Sequence, residues 1–275
     1  MANLLTVLDS FLPFALAATA VIFLLEFLRG PARGGLTGRI ALTITTSLLV
    51  TRFAAFVAVT GRPPLGPGEA FTLIALAITL FYFAFHVLRR DITAGFLFLV
   101  VATIFQAIGV LPDPARVRLD ELLSEPWFGM HVTSAIIGYT AFVVSAVYAL
   151  LFLALYADLK RRRFGVIYER MPSLDVLSRL SIRSATLGFV FLTAAIAIGA
   201  LGWSRVLEHA ALSDPKVVSS VLVWLIYGIG VTLHYAAGWR GVRCIGITLA
   251  AFVLMLLSTW LVPIVLGSAH LETLL

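Results

Sequence analysis

The chain has 275 residues, of which 61% are hydrophobic and only 12% charged, with a formal net charge of +6. So small a charged fraction cannot coat a soluble protein of this length, which excludes an aqueous globular domain and indicates a bilayer protein. The single cysteine, Cys244, excludes an internal disulfide, a thiol pair and a C-x-x-C-H motif.

A hydrocarbon core of about 30 Å needs about 20 apolar residues per helix, and eight such runs are expected. They are Phe11 to Leu28, Ile40 to Val59, Ala70 to Leu88, Ile92 to Leu111, Phe128 to Tyr156, Thr186 to Trp203, Val217 to Tyr235 and Ile245 to Leu266. The first has no Lys or Arg before it and Arg29 and Arg33 after it, the reverse of a signal peptide's charge order, so it is read as a retained span. The connection 112–127 predicts a short surface helix. The connection 157–185 opens with the run KRRR and continues with Leu174, Leu177, Leu180 and Ile182 near helical spacing, which predicts an amphipathic interfacial helix. The fold class is therefore all-α: a polytopic membrane bundle of about eight helices, forming a single domain over residues 1–275.

Arg29, Arg33, Arg39, Arg89, Arg90, Lys160 to Arg163, Arg170, Arg179, Arg183, Arg240 and Arg243 all fall in alternate connections. Those connections are expected on the cytoplasmic side, which puts both termini outside. This distribution accounts for the basic excess as an insertion signal, so no nucleic-acid partner is expected, only membrane lipid. A bacterial-type inner membrane is the expected location.

Topology converts histidines into depths. His131 opens the fifth span and His270 follows the eighth, near the outer surface. His86 and His234 end the third and seventh spans, each about 25 Å from its outer start at 1.5 Å per residue, near the inner surface. Paired neutral imidazoles from different helices are what a six-coordinate haem iron needs. Small residues let the flat macrocycle approach: Ser134, Ala135, Gly138 and Ser145 after His131, and Gly230 before His234, with Tyr227 one turn further. The same residues equally admit another helix, and an interfacial histidine can simply reach water or headgroups. His209 reads as a solvated loop residue. Arg52, inside the second span, requires an anion or water, either a haem propionate, a structural carboxylate or the outer headgroups. Glu26 and Arg29 read as a local surface pair. No zinc spacing, Gly-rich phosphate loop or nucleophile-base pair is present.

Several segments taken in order resemble one family. "GRPPLGPGEAF" (61–71) is similar to a Gly-Arg-x-Pro-Leu segment followed by a glutamate, here Glu69; "WFGMHVTSAIIGYTAF" (127–142) to an M-H-V segment with a downstream Gly-Tyr; and "LDVLSRLSIRSATLGF" (174–189) to an L-D-x-L-x-x-R segment. "DPKVVSSVLVWLIYGIGVTLHYAAGWRG" (214–241) resembles a D-P-K, W-L-I-Y, histidine and G-W-R-G sequence, and "GSAH" (267–270) places a histidine after the last span. The family is that of the CcsA-like and CcmC-like haem-handling proteins of cytochrome c biogenesis, with its YpjD-like and HemX-like branches.

The resemblance implies that His131 and His270 flank an external haem and that His234 ligates a second haem near the inner side. His86 reaches a suitable depth to complete that inner pair, an inference from depth alone. One or two non-covalent haem b groups are implied, with Arg52, Glu69, Trp203 and Asp214 as propionate or motif contacts. The family's tryptophan-rich outer loop, W-G-x-x-W-x-W-D, here reads "GWSRVLEHAALSDPK", keeping only Trp203 and Asp214-Pro215-Lys216 of the pattern. The aromatic platform for an exposed haem is thus reduced, which fits the YpjD-like and HemX-like branches. The expected function is a haem carrier or assembly factor without chemistry of its own. A HemX-like regulator of tetrapyrrole synthesis and a two-haem electron conduit are the alternatives. Expected partners are haem, other cytochrome c assembly subunits or a tetrapyrrole-synthesis enzyme.

Overall fold

A computed structural model describes residues 2–30, 35–64, 66–89, 93–111, 125–162, 164–203 and 215–265. Among them every regular element is an α-helix: α1 (Ala2–Arg29), α2 (Leu36–Thr60), α3 (Pro67–Arg89), α4 (Gly95–Gly109), α5 (Pro126–Lys160), α6 (Val166–Arg170), α7 (Leu174–Trp203), α8 (Pro215–Tyr235) and α9 (Val242–Val265). Helix is what a long apolar run must form in lipid, because only there are its backbone groups satisfied within the segment. Many large apolar side chains on these helices are exposed, among them Phe14, Leu36, Leu88 and Leu201. Such a surface suits acyl chains rather than water.

Among the described residues, six helices are long and apolar enough to cross a membrane: Leu5–Arg29, Leu36–Thr60, Gly68–Leu88, Pro126–Lys160, Leu174–Gly202 and Val217–Tyr235. The fourth and eighth expected spans coincide with shorter apolar helices, Gly95–Gly109 and Val242–Ser258. Two expectations need correction. The sixth span begins at Leu174 rather than Thr186, because the amphipathic stretch expected as a separate interfacial helix is the first turns of α7 itself. No proline or glycine separates the two parts, so nothing stops the helix. The surface helix expected within 112–127 lies mostly outside the described residues.

The helices fall into two compact units, α1 to α4 and α5 to α9. In the first, α1 packs against both α2 and α4, and α3 packs against α4. Leu12, Leu16 and Phe23 of α1, Leu42 and Leu49 of α2, Ile78 and Tyr82 of α3, and Phe98 and Leu99 of α4 are fully buried. Thr19 and Thr45 hydroxyls bond across α1 and α2 at 2.8 Å. Glu26 does not form the expected surface pair with Arg29. It is buried, and its Oε1 accepts the Gly38 N–H at 2.8 Å, satisfying an orphan donor in the first turn of α2.

In the second unit the dominant pair is α5 with α7. Their contacts run antiparallel: Trp127 lies over Gly202, His131 against Gly199, Gly138 against Gly188 and Ser145 against Ser181, the last at 3.2 Å between hydroxyls. Glycine and serine at these positions bring the backbones together, as membrane helices require. Helix α8 then packs antiparallel on α7, with Trp224 stacked on Phe189 and its indole N–H donated to Thr193 Oγ1 at 2.8 Å. Tyr227 of α8 stacks on Phe142 of α5 at 3.7 Å between centroids. Helix α9 returns against α8, with Gly230 beside Ile247.

Candidate functional site

His131 sits in the second turn of α5, where Pro126 occupies the first turn without needing an N–H partner. Its Nδ1 lies 2.7 Å from the Ala195 carbonyl of α7. That carbonyl already serves the helix, but its second lone pair is available to an incoming donor. The approach is possible because Gly199 has no side chain: a Cβ there would lie 2.8 Å from His131 Nδ1. Since a carbonyl can only accept, Nδ1 carries the proton, and in the neutral ring the lone pair then belongs to Nε2.

His234 reaches the same state by different means. It lies in the last turn of α8, and its Nδ1 is 2.8 Å from the Trp239 carbonyl. The helix ends there because Gly238 adopts φ 66° and the Trp239 N–H turns back to the Leu233 carbonyl at 3.0 Å. The left-handed glycine lets the amide that follows it fold back onto a carbonyl six residues earlier, which closes off the end of the helix. The G-W-R-G segment therefore builds the turn that aims a carbonyl at the histidine. The imidazole is half-buried, its edge against Tyr235.

The two imidazoles stand at opposite ends of this unit. Phe142 and Tyr227 are level, His131 is eleven residues before Phe142 and His234 seven after Tyr227 on the parallel helices α5 and α8. At 1.5 Å per residue that separates them by about 27 Å, too far to share one iron.

Other expected residues fall elsewhere. His86 is on α3 in the first unit, buried with its ring 5.4 Å from Phe23 and 5.9 Å from Tyr82. Arg52 is buried, and its Nε donates to Asp9 of α1 at 2.8 Å. Of the partners weighed for it, the structural carboxylate is the one observed. Glu69 is buried as well, bound by Arg62 at 2.8 and 3.1 Å and by the Gly66 N–H at 3.0 Å, so the glutamate of the Gly-Arg-x-Pro-Leu segment locks its own loop. Of the small-residue face after His131, Gly138 and Ser145 meet α7, so at those two positions they admit a helix and not a macrocycle. His270, Asp214, His209 and the side chain of Trp203 lie outside the described residues.

Sequence reasoning missed three positions. Asp9 is the sole acid of the first span's outer part and lies at the level of Arg52 on the antiparallel helix, a signal that was readable. Gly199 and the Trp239 carbonyl were not readable, because both act through backbone approach.

Haem is the group the resemblance implies, and the donor chemistry fits it. An imidazole whose Nδ1–H is held by a backbone carbonyl is fixed in the tautomer that presents Nε2 to a metal. Fold and site together define a polytopic α-helical membrane protein with a pre-oriented imidazole at each end of its second unit. The chain belongs to the cytochrome c assembly protein family, whose model matches residues 65–270. It is 28% identical over 198 residues to Protein HemX of Brevibacillus brevis, covering 68% of this chain and 73% of that one. It is 33% identical over 120 residues to the cytochrome c biogenesis protein CcsA of Chlamydomonas reinhardtii, covering 43% and 33% respectively. The inner membrane protein YpjD of Escherichia coli K12 is 25% identical over 140 residues, 51% of this chain and 52% of that protein. No solved structure matches.

Proposed function

We propose that this chain binds haem b without covalent attachment, as a haem carrier or assembly factor in a bacterial-type inner membrane with both termini outside. His131 and His270 are the ligands of an outer haem, and His234 is a ligand of an inner one. The observation that carries the reading is the state shared by the two imidazoles of the second unit: each Nδ1 faces a backbone carbonyl, at 2.7 Å for His131 and 2.8 Å for His234. Holding a tautomer this way is a common arrangement for metal-binding histidines and lowers the reorganisation needed on ligation. Bound haem would supply a reducible iron and a transferable cargo; the chain's own task is to hold and orient it.

The test is the absorption spectrum of protein purified from haem-replete cells. Bis-histidine haem gives sharp bands on reduction, and these weaken in H131A and in H234A. Colourless wild-type protein contradicts the reading.

A second reading follows from coverage. Two relatives named Protein HemX align with 68% and 77% of this chain, against 43% for the Chlamydomonas CcsA. That pattern, with the reduced tryptophan loop, favours the HemX-like branch, in which the protein acts on a tetrapyrrole-synthesis enzyme through its basic inner connections. Capture of such an enzyme by the wild type, lost when the basic residues of Lys160 to Arg183 are neutralised, supports that role; capture that survives neutralisation contradicts it.

A further inference from the structure

We infer that Arg240 and Arg243 form a carboxylate-binding site beside His234, built on Trp239, and that the carboxylates it takes are those at the edge of the inner porphyrin. This rests on His234 being an inner haem ligand.

The backbone of Trp239 holds His234 through its carbonyl, while its indole carries the Arg243 guanidinium 5.9 Å from the ring centroid. One residue therefore ties an imidazole and a cation together. Arg240 follows Trp239 directly, before Gly241 turns the chain at φ 68° into α9. Both arginines are exposed, and among the described residues neither has an ion pair, in contrast to Arg52, Arg62 and Arg179. A guanidinium held over an indole by cation–π attraction commits none of its N–H donors to that contact, which leaves them for a carboxylate. A macrocycle with two carboxylates on one edge and a metal at its centre needs this combination: an imidazole at the metal and cations toward the polar side. The alternative ligand of the same chemistry is the phosphate of an anionic lipid, which the cationic loop would attract without regard to His234.

The experiment uses the full chain in neutral-lipid nanodiscs with H131A, so that only the inner site loads. Haem with free carboxylates and its dimethyl ester are titrated, and binding is followed by absorbance. The parent is expected to prefer the free acid about tenfold, a modest charge-assisted hydrogen bond discounted for exposure. R240Q/R243Q loses that preference, R240K/R243K keeps most of it, and R39Q, which removes an exposed cation of another inner connection, leaves it unchanged. An equal preference in parent and R240Q/R243Q overturns the inference, as does a loss in R39Q as large as in R240Q/R243Q. Equal binding of free acid and ester in neutral lipid, together with binding of anionic vesicles that R240Q/R243Q loses, assigns the arginines to headgroups and also overturns it. Undiminished haem binding in H131A/H234A removes the reading of His234 itself, a failure distinct from the others.

Discussion

Gly199 has its effect through what it omits. The His131 imidazole occupies the space a side chain would take, so the tautomer of a candidate ligand depends on a glycine of another helix. G199L should therefore reduce the outer haem signal as strongly as H131A while H131 remains in the chain; a variant with the wild-type signal would show that the Ala195 contact is dispensable. The Asp9–Arg52 pair makes a second residue-scale prediction. Arg52 has a side-chain exposure of 3% and Asp9 of 24%, so removing the acid leaves a guanidinium inside a span without its counter-charge. Breaking such a pair costs about 3–5 kcal/mol, whereas replacing both partners with apolar groups can be nearly neutral. D9A should lower the thermal midpoint in detergent well beyond D9L/R52M. Equal midpoints would mean that the pair carries no stability.

At the scale of elements, the α8–α9 turn explains why a histidine is kept at the end of so apolar a helix. The last turn of a helix leaves carbonyls and a bend to be satisfied, and here the bend supplies the acceptor for the imidazole. An alanine at Gly238 must adopt a left-handed conformation costing about 1–2 kcal/mol. G238A is thus expected to lower stability and shift the inner haem spectrum, whereas G246A, where a Cβ meets open space, should change neither adversely. Identical behaviour of the two variants would contradict the assigned turn. Helix positions were largely legible in the sequence, since apolar length and the basic loops mark spans directly. The start of α7 was not, because an amphipathic surface turn and a span join without a breaker between Leu174 and Thr186. Nor was the role of Gly138 and Ser145: small residues announce close approach, but the sequence does not say to what. The separation of His131 and His234 to opposite ends of their unit was readable by counting residues, whereas the carbonyls that orient them belong to backbone geometry that no side-chain pattern records.

For the whole molecule, the family and the membrane class rest on different grounds that agree, one on matched residues 65–270 and the other on exposed apolar helices. The proposed orientation, drawn from the basic connections, is open to a direct check. In a C244A background, cysteines at Thr60 and Ser173 should react with an impermeant thiol reagent from opposite sides of the membrane, Thr60 from outside. Labelling of both from the same side would overturn the topology. The central claim is that separate imidazoles at the two ends of the second unit hold separate haems. Haem per polypeptide, measured for wild type, H131A, H234A and the double variant, tests it most directly. The account predicts about two haems falling to one in either single variant and to none in the double. Unchanged haem content in the double variant would contradict it.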